Sequence, residues 1–253
     1  MIKSKKLSKF RHIEHGFFDR RGGKSVGIFK SLNCGKGSSD IKKNVQKNLR
    51  IVSRKIKNKS QKIVLLKQTH SNKFHFIDKH LKSSSSKLVG DALITNKKNT
   101  AIAILTADCA PILIHDENKK MIAAIHAGWR GAYKGIVEKV VKFMIKKGCS
   151  PQNITAAIGP CISANSYQVR QDLIKKFMLK NKNNKVFFKK IKGKNYFNLN
   201  KYIHFQIKCL KIKKIDIIKK DTFITKNNFF SARRSISHNE NDYGRNISVI
   251  MIN

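Results

Sequence analysis

A chain of 253 residues with 40% hydrophobic and 27% charged residues can bury a sizeable core, which excludes a disordered or fibrous protein. Its 55 Lys and Arg stand against 14 Asp and Glu, a formal charge of +41, yet the cations are scattered in ones and twos through nearly every polar segment. That scatter speaks to solubility and non-specific association, so specific nucleic-acid binding is not the first reading. The N-terminal MIKSKKLSKFRHIEHGFF lacks the apolar core of a secretory signal, and no apolar run approaches the roughly 20 residues that span a bilayer. A cytoplasmic protein without a membrane partner is expected. Cys34, Cys109, Cys149, Cys161 and Cys209 are odd in number and lack repeat spacing, which points to reduced thiols rather than a disulfide framework.

In chain order, residues 15–35 are punctuated by Gly22, Gly23, Gly27 and Gly35 and are read as a loop-rich hairpin region. From Asp40 to Lys57, Ile41, Val45, Leu49, Val52 and Ile56 recur at helical spacing, with Asp40 placed to cap the helix. Strands are expected over 62–66 and 73–78, on either side of His70, with the serine run 83–86 as a surface loop. Four more follow over 91–95, 100–107, 111–115 and 121–127, and the second, TAIAILTA, is apolar enough to be covered on both faces. After Gly131 the period changes to a helical stripe through Ile136, Val137, Val140, Val141, Met144 and Ile145, stopping at Gly148. A strand over 154–158, helices over 172–179 and 199–210, and strands over 215–218 and 247–252 complete the reading. No internal repeat and no break in composition marks a domain boundary.

The stretch from Leu88 to Tyr133 holds five Lys/Arg against four Asp/Glu, a net of +1, so the excess charge lies elsewhere. Within or beside it, His70, Cys109 and His126 each end an apolar run. If those runs are strands pointing one way, the three side chains converge at one edge of a sheet, where ligand sites of α/β proteins gather. Two imidazoles and a thiolate suit zinc, and three protein ligands leave a fourth position for water or substrate. Extra lysines there would oppose the metal, which offers a reason for the low charge. Their spacing matches no zinc finger, and the same residues read equally as a core cysteine and structural histidines, or as a nucleophile and base without metal. Asp108 is a candidate to orient a histidine or to serve as general base. In His126-Ala-Gly-Trp-Arg-Gly, Arg130 offers a fork for phosphate or carboxylate beside a helix N-terminus, and Trp129 reads as a stacking platform or a core aromatic. Arg20, Arg21, Arg233, Arg234 and Arg245 also fall in distinctive segments, where arginine rather than lysine suggests planar anion recognition.

With these residues in view, the chain resembles the laccase-domain (YfiH-like) family, once regarded as polyphenol oxidases and now as zinc-dependent purine nucleoside phosphorylases. The matching pieces are HGFF with Arg20, Gly22-Gly23 and Ser31-Leu32-Asn33, then QTH at 68–70, GDALIT at 90–95, TADCAPILI at 106–114, HAGWRG at 126–131, IGPCI at 158–162, and FFSARR with Asp242-Tyr243-Gly244-Arg245. The resemblance implies an α/β fold, one domain with mixed β-sheets flanked by helices, and zinc on His70, Cys109 and His126. It implies phosphorolysis of adenosine, inosine, guanosine and methylthioadenosine, with adenosine deamination as a second activity. Asp108, Cys109, His126 and Arg130 are the catalytic candidates it leaves, and Arg20, Asn33 and Arg130 the substrate-binding ones. Ser166-Tyr167-Gln168-Val169 and Ile224-Thr225 stand where members commonly have Cys-Tyr-Glu-Val and Cys-Thr, which removes any role for those Glu and Cys side chains. The rival readings are an amidase that edits peptidoglycan precursors, a copper oxidase, disfavoured because nine dispersed histidines are too few for a multicopper site, and a basic nucleic-acid-binding protein.

Overall fold

The computed structural model describes residues 1–58, 62–78 and 88–253; the serine run 83–86 lies outside them. The chain opens with strand β1 (Ile13–Phe17) and helix α1 (Lys42–Lys55), followed by β2 (Ile63–Val64) and β3 (Phe74–Ile77). The central stretch supplies β4 (Ala92–Thr95), β5 (Ala101–Thr106), β6 (Ala110–Asp116) and β7 (Met121–Ala127), then α2 (Trp129–Tyr133) and α3 (Ile136–Lys146). After β8 (Ile154–Ile158) come β9 (Gln168–Val169), α4 (Gln171–Lys180), β10 (Phe188–Ile191), β11 (Lys194–Phe197) and α5 (Leu199–Cys209). Strand β12 (Lys214–Ile217), α6 (Ala232–Ser237) and β13 (Asn246–Ile252) close the chain.

Two mixed sheets carry the fold, one of four strands in the order β1-β13-β5-β2 and one of six in the order β12-β8-β6-β7-β4-β3. Alternation along the strands assigns their faces. Ile102, Ile104, Ile250 and Ile252 of the first sheet meet Leu93, Leu113, Ile122 and Ala124 of the second in one core between the sheets. The outer face of the four-stranded sheet, with Ala101, Ala103, Val249 and Met251, packs on Val52 of α1 and on Ile56 just beyond it. On the other side, Ile94, Ile112, Ile114 and Ile125 of the six-stranded sheet pack on Val137, Val140, Val141 and Met144 of α3 and on Ile203 and Ile207 of α5. The result is helix, sheet, sheet, helix, with β5 covered on both faces as its composition predicts. Among the described residues no helix is long and apolar enough to cross a membrane.

Three expectations change. Residues 15–35 form no hairpin, because β1 pairs antiparallel with β13, more than two hundred residues away in sequence. Asp40 does not cap α1: Ile41 holds the cap position without a side-chain bond, while the Asp40 carboxylate accepts from the Ser25 hydroxyl (2.6 Å) and the Asn33 amide (2.9 Å). The helix N-terminus beside Arg130 belongs to a separate short helix, α2, and not to the α3 stripe, from which Gly135 separates it. A third sheet, β10-β11-β9, was not anticipated; β10 and β11 form a two-residue hairpin whose register pairs Ile191 with Lys194.

Candidate metal centre and active site

Two crossings between the sheets build the site. Strand β5 ends in the four-stranded sheet at Thr106 and β6 begins in the six-stranded sheet at Ala110, so Ala107, Asp108 and Cys109 span the gap. Strand β2 runs parallel to β5 and therefore delivers the segment carrying His70 to the same end. Strand β7 runs antiparallel to β6 with Ala110 opposite Ala127, which brings His126 beside the start of β6. The three candidate ligands thus meet at the mouth between two sheets. The expected geometry, strands of one direction at one sheet edge, is corrected: convergence depends on an antiparallel register and a sheet-to-sheet crossing.

The imidazole nitrogens of His70 and His126 and the Cys109 thiol lie within 4.8 Å of one another, and the cluster grades from buried His126 through half-buried Cys109 to exposed His70. Cys109 Sγ is 3.7 Å from His70 Nε2, and the two imidazole rings sit edge to face with centroids 4.8 Å apart. It is the only group of three or more metal-ligating side chains among the described residues. Gly128 makes the room: a Cβ at that position would lie 2.7 Å from Cys109 Sγ and 3.0 Å from His70 Cδ2. Backbone conformation at the centre is unusual, with His70 at φ 55° and Asp108 at φ 86°, in the left-handed region that non-glycine residues occupy at a cost.

Asp91 organises the cluster. Its fully buried carboxylate accepts from the His126 ring Nδ1 (2.8 Å), the Ser71 hydroxyl (2.6 Å), and the backbone N–H groups of Ser71 (2.6 Å) and His70 (3.0 Å). One side chain therefore engages His126 Nδ1, turning Nε2 toward the cluster, and shapes the loop that carries His70. Burial alone would raise the Asp91 pKa, but these hydrogen bonds hold it well below the usual carboxylate range. Burial likewise opposes ionisation of the Cys109 thiol, and the imidazoles of His126 and His70 outweigh it, pulling the thiol down to about 7. For His126, burial is overcome by the Cys109 thiolate and the Asp91 carboxylate, which raise it to about 9. Two imidazoles and an easily ionised thiol, with space between them, are a donor set that fits one metal ion.

Sequence reasoning missed Asp91, although an acid opening an apolar strand in a chain with only 14 acids was a usable signal. Its role had been offered to Asp108, whose carboxylate instead accepts from the hydroxyls of Thr222 (2.7 Å) and Ser231 (2.9 Å) and from the Arg233 backbone N–H (2.7 Å). Burial raises the Asp108 pKa against these bonds.

Two cavities open on the cluster. One of about 490 Å³ is walled by Leu65, Leu66 and Leu105 with Lys67 and Arg245, and the other, of about 260 Å³, by Trp129, Arg130, Tyr167 and Arg233 with Asp108. Trp129 is half-buried; it packs on the core and also carries the Arg130 guanidinium 5.3 Å from its ring centroid, so both readings of it hold. Among the described residues nothing accepts a hydrogen bond from the Arg130 side chain, which leaves its fork free. Arg233 lies over the Tyr167 ring at 5.5 Å and donates to the Gln168 carbonyl (2.9 Å).

Arg20 and Asn33 are not at these walls. The Arg20 guanidinium donates to the Lys30 carbonyl (2.6 Å) and lies over the Phe230 ring. Asn33 is fully buried; its amide donates to Ser38 and Asp40 while its carbonyl accepts from the backbone N–H groups of Gly35 and Arg245. The Asn33 side chain is thus spent on the fold, and Arg20, held through Nε and the Phe230 ring, lines neither cavity. Tyr243 and Arg245 do line the first cavity.

Residues 14–253 match the family described as multi-copper polyphenol oxidoreductase laccase, and the chain belongs to that family. It is 36% identical over 179 residues to a Rickettsia prowazekii protein named purine nucleoside phosphorylase, covering 70% of this chain and 72% of that one. A Bacteroides thetaiotaomicron protein of the same name is 33% identical over 92% of this chain and 91% of its own. The fold superimposes on the crystal structure of the hypothetical protein YfiH of Bacillus licheniformis with a TM-score of 0.87 at 28% identity, covering 95% and 93% of the two chains.

Proposed function

We propose that the protein is a zinc-dependent purine nucleoside phosphorylase that cleaves adenosine, inosine, guanosine and methylthioadenosine with phosphate. The observation that carries this reading is the His70, Cys109 and His126 cluster at the meeting point of two cavities, one with a free arginine fork. Relatives bearing the phosphorylase name over about nine tenths of the chain support it. His70 Nε2, Cys109 Sγ and His126 Nε2 would hold the ion, with Asp91 fixing the His126 ring. Zinc at that position supplies Lewis acidity toward an oxygen of the substrate. The three-residue cluster, the only one among the described residues, supports one ion, which disfavours the several coppers of an oxidase.

The chain's own groups account for the rest of phosphorolysis. Arg130 is placed to take two phosphate oxygens in its fork and hold the nucleophile against the ribose carbon, C1′. As the bond from C1′ to the base breaks, positive charge develops on the sugar and the fixed phosphate charge stabilises it. The apolar wall of Leu65, Leu66 and Leu105 covers a flat purine and excludes water from that face. Adenosine deamination at the same centre is the finer part of the proposal: Asp108, whose pKa burial raises, would carry the proton to and from the purine ring.

Purified protein is incubated with adenosine and phosphate, and adenine, hypoxanthine, ribose 1-phosphate and inosine are measured alongside metal content. Free base, adenine plus hypoxanthine, equal in amount to ribose 1-phosphate, with about one zinc per chain, supports the proposal. Copper in place of zinc, or no free base, would overturn it.

A further inference from the structure

The two cavities at the cluster share four wall residues, His70, Ala107, Cys109 and Tyr243. The first three belong to the cluster and its crossing loop. Tyr243 arrives from the other end of the chain, and among the described residues it is the only large residue outside the cluster that lines both cavities. The surroundings hold it still. Asp242 accepts from the backbone N–H (2.7 Å) and hydroxyl (3.1 Å) of Ser39, and the Arg245 N–H donates to the buried Asn33 carbonyl oxygen (2.9 Å). Between these anchors the Arg245 guanidinium lies 4.5 Å from the Tyr243 ring centroid and donates to the Tyr243 carbonyl (2.7 Å). Gly244 is pressed on the Phe230 ring, where a Cβ would come within 2.4 Å. A half-buried tyrosine clamped on both sides is a fixed wall rather than a mobile lid.

We infer that Tyr243 is the partition between a nucleoside lobe, the larger cavity, and a phosphate lobe, the smaller one, and that it decides between phosphorolysis and hydrolysis. The inference rests on the phosphorylase reading. In phosphorolysis the bond from C1′ to the base breaks with its electron pair going to the base nitrogen. A phosphate oxygen forms the new bond to C1′, and the proton carried by phosphate ends on the base. Water can replace phosphate step for step, its oxygen bonding to C1′ and one proton going to the base, to give free ribose. Because water is far more abundant than phosphate, phosphorolysis requires that the only oxygen within reach of the electron-poor C1′ be the one held by Arg130. A ring that narrows the junction to the width of the bound phosphate does this, and its removal widens the junction so that water reaches C1′ beside the phosphate.

Inosine is the substrate of choice, since it has no amine to lose. Wild type, Y243A, Y243L and Y243F are given inosine and phosphate, and free ribose and ribose 1-phosphate are measured per hypoxanthine released, with zinc content determined for each. Wild type is expected to yield ribose 1-phosphate almost alone, whereas Y243A raises the free-ribose share about tenfold, a change in relative barriers of about 1.4 kcal/mol. Y243F, which keeps the ring, returns the ratio to the wild-type value. If Y243A does not fold, Y243L, which keeps an apolar stem and removes the ring face, gives the same reading. Equal product ratios in wild type and the ring-less variant, with zinc retained, overturn the partition alone. No hypoxanthine from wild type overturns the phosphorylase reading itself.

Discussion

Residues 88–133 and 171–220 are of similar length and both mix strands and helices, yet the first holds five Lys/Arg against four Asp/Glu and the second sixteen lysines against two aspartates. Burial separates them. Strands β4, β6 and β7 are buried at every position and β5 at all but one, so a lysine there would have to leave water without a partner. In the second region β10 has no buried position and β11 a single one, and lysines there keep their heads in solvent. The low charge of the first region is therefore a consequence of packing. Repulsion from the metal does not explain it, because Lys36, Lys67, Arg130, Arg233 and Arg245 all line the cavities at the cluster. The acids of the first region are also used differently: Asp91 and Asp108 are buried and each accepts several hydrogen bonds.

That contrast can be broken at several points, and the largest effect is expected at Cys109. Cys109→Ala removes the only thiol of the cluster, so bound zinc and turnover should both vanish; turnover at wild-type rate would remove the metal from the mechanism. Acid is expected to act nearly as strongly. A metal must displace the His126 proton below about pH 9 and the Cys109 proton as well below about 7. Affinity should then fall as the pH is lowered below about 9, and more steeply below about 7, where a further proton competes with the metal. A competition titration with a chromophoric chelator reads both slopes, and a single slope through pH 7 would contradict the coupled pair.

Asp91→Asn comes next. It keeps the volume but replaces the acceptor shared by His126 and the His70 loop, so zinc affinity should drop by about 10- to 100-fold while the fold persists. Unchanged affinity would mean that Asp91 serves the loop and not the metal. Arg130→Ala should raise the KM for phosphate, with a loss of about 1.5–3 kcal/mol in transition-state stabilisation and little change in zinc content; an unaltered phosphate dependence would send the anion elsewhere. At the small end, exposed Lys190 in β10 can become Gln with a stability change within about 0.5 kcal/mol by denaturant titration. A larger loss would show that the lysine-rich region is not merely solvated.

Much of the element list was legible, because burial on a helix or strand leaves a period in the sequence. Strand β8 over 154–158, the doubly covered β5 and the α3 stripe fall where their apolar patterns put them. The β9-β10-β11 sheet was not, since its half-exposed strands carry alternation blurred by lysines, although the Lys192-Gly193 turn between FFKKI and KNYF marked the hairpin. In the site, the motifs and the ends of apolar runs singled out His70, Cys109, His126 and Arg130. Asp91 escaped because its importance lies in what it accepts, from a histidine 35 residues and a serine 20 residues away.

The sequence by itself therefore determined the identity of the donors and the layers they hang from, because donor chemistry and hydrophobic period are local properties. The tertiary structure alone decided that β2 and β5 in one sheet and β6 and β7 in the other deliver those donors to a single mouth, since register and sheet-to-sheet crossing are set by packing between distant residues. The same holds for the contacts that leave Arg20 and Asn33 outside the two cavity walls and for the anchors around Tyr243, which lines both cavities. A side chain's chemistry can be read one residue at a time, but what it faces is fixed only when the whole chain has packed.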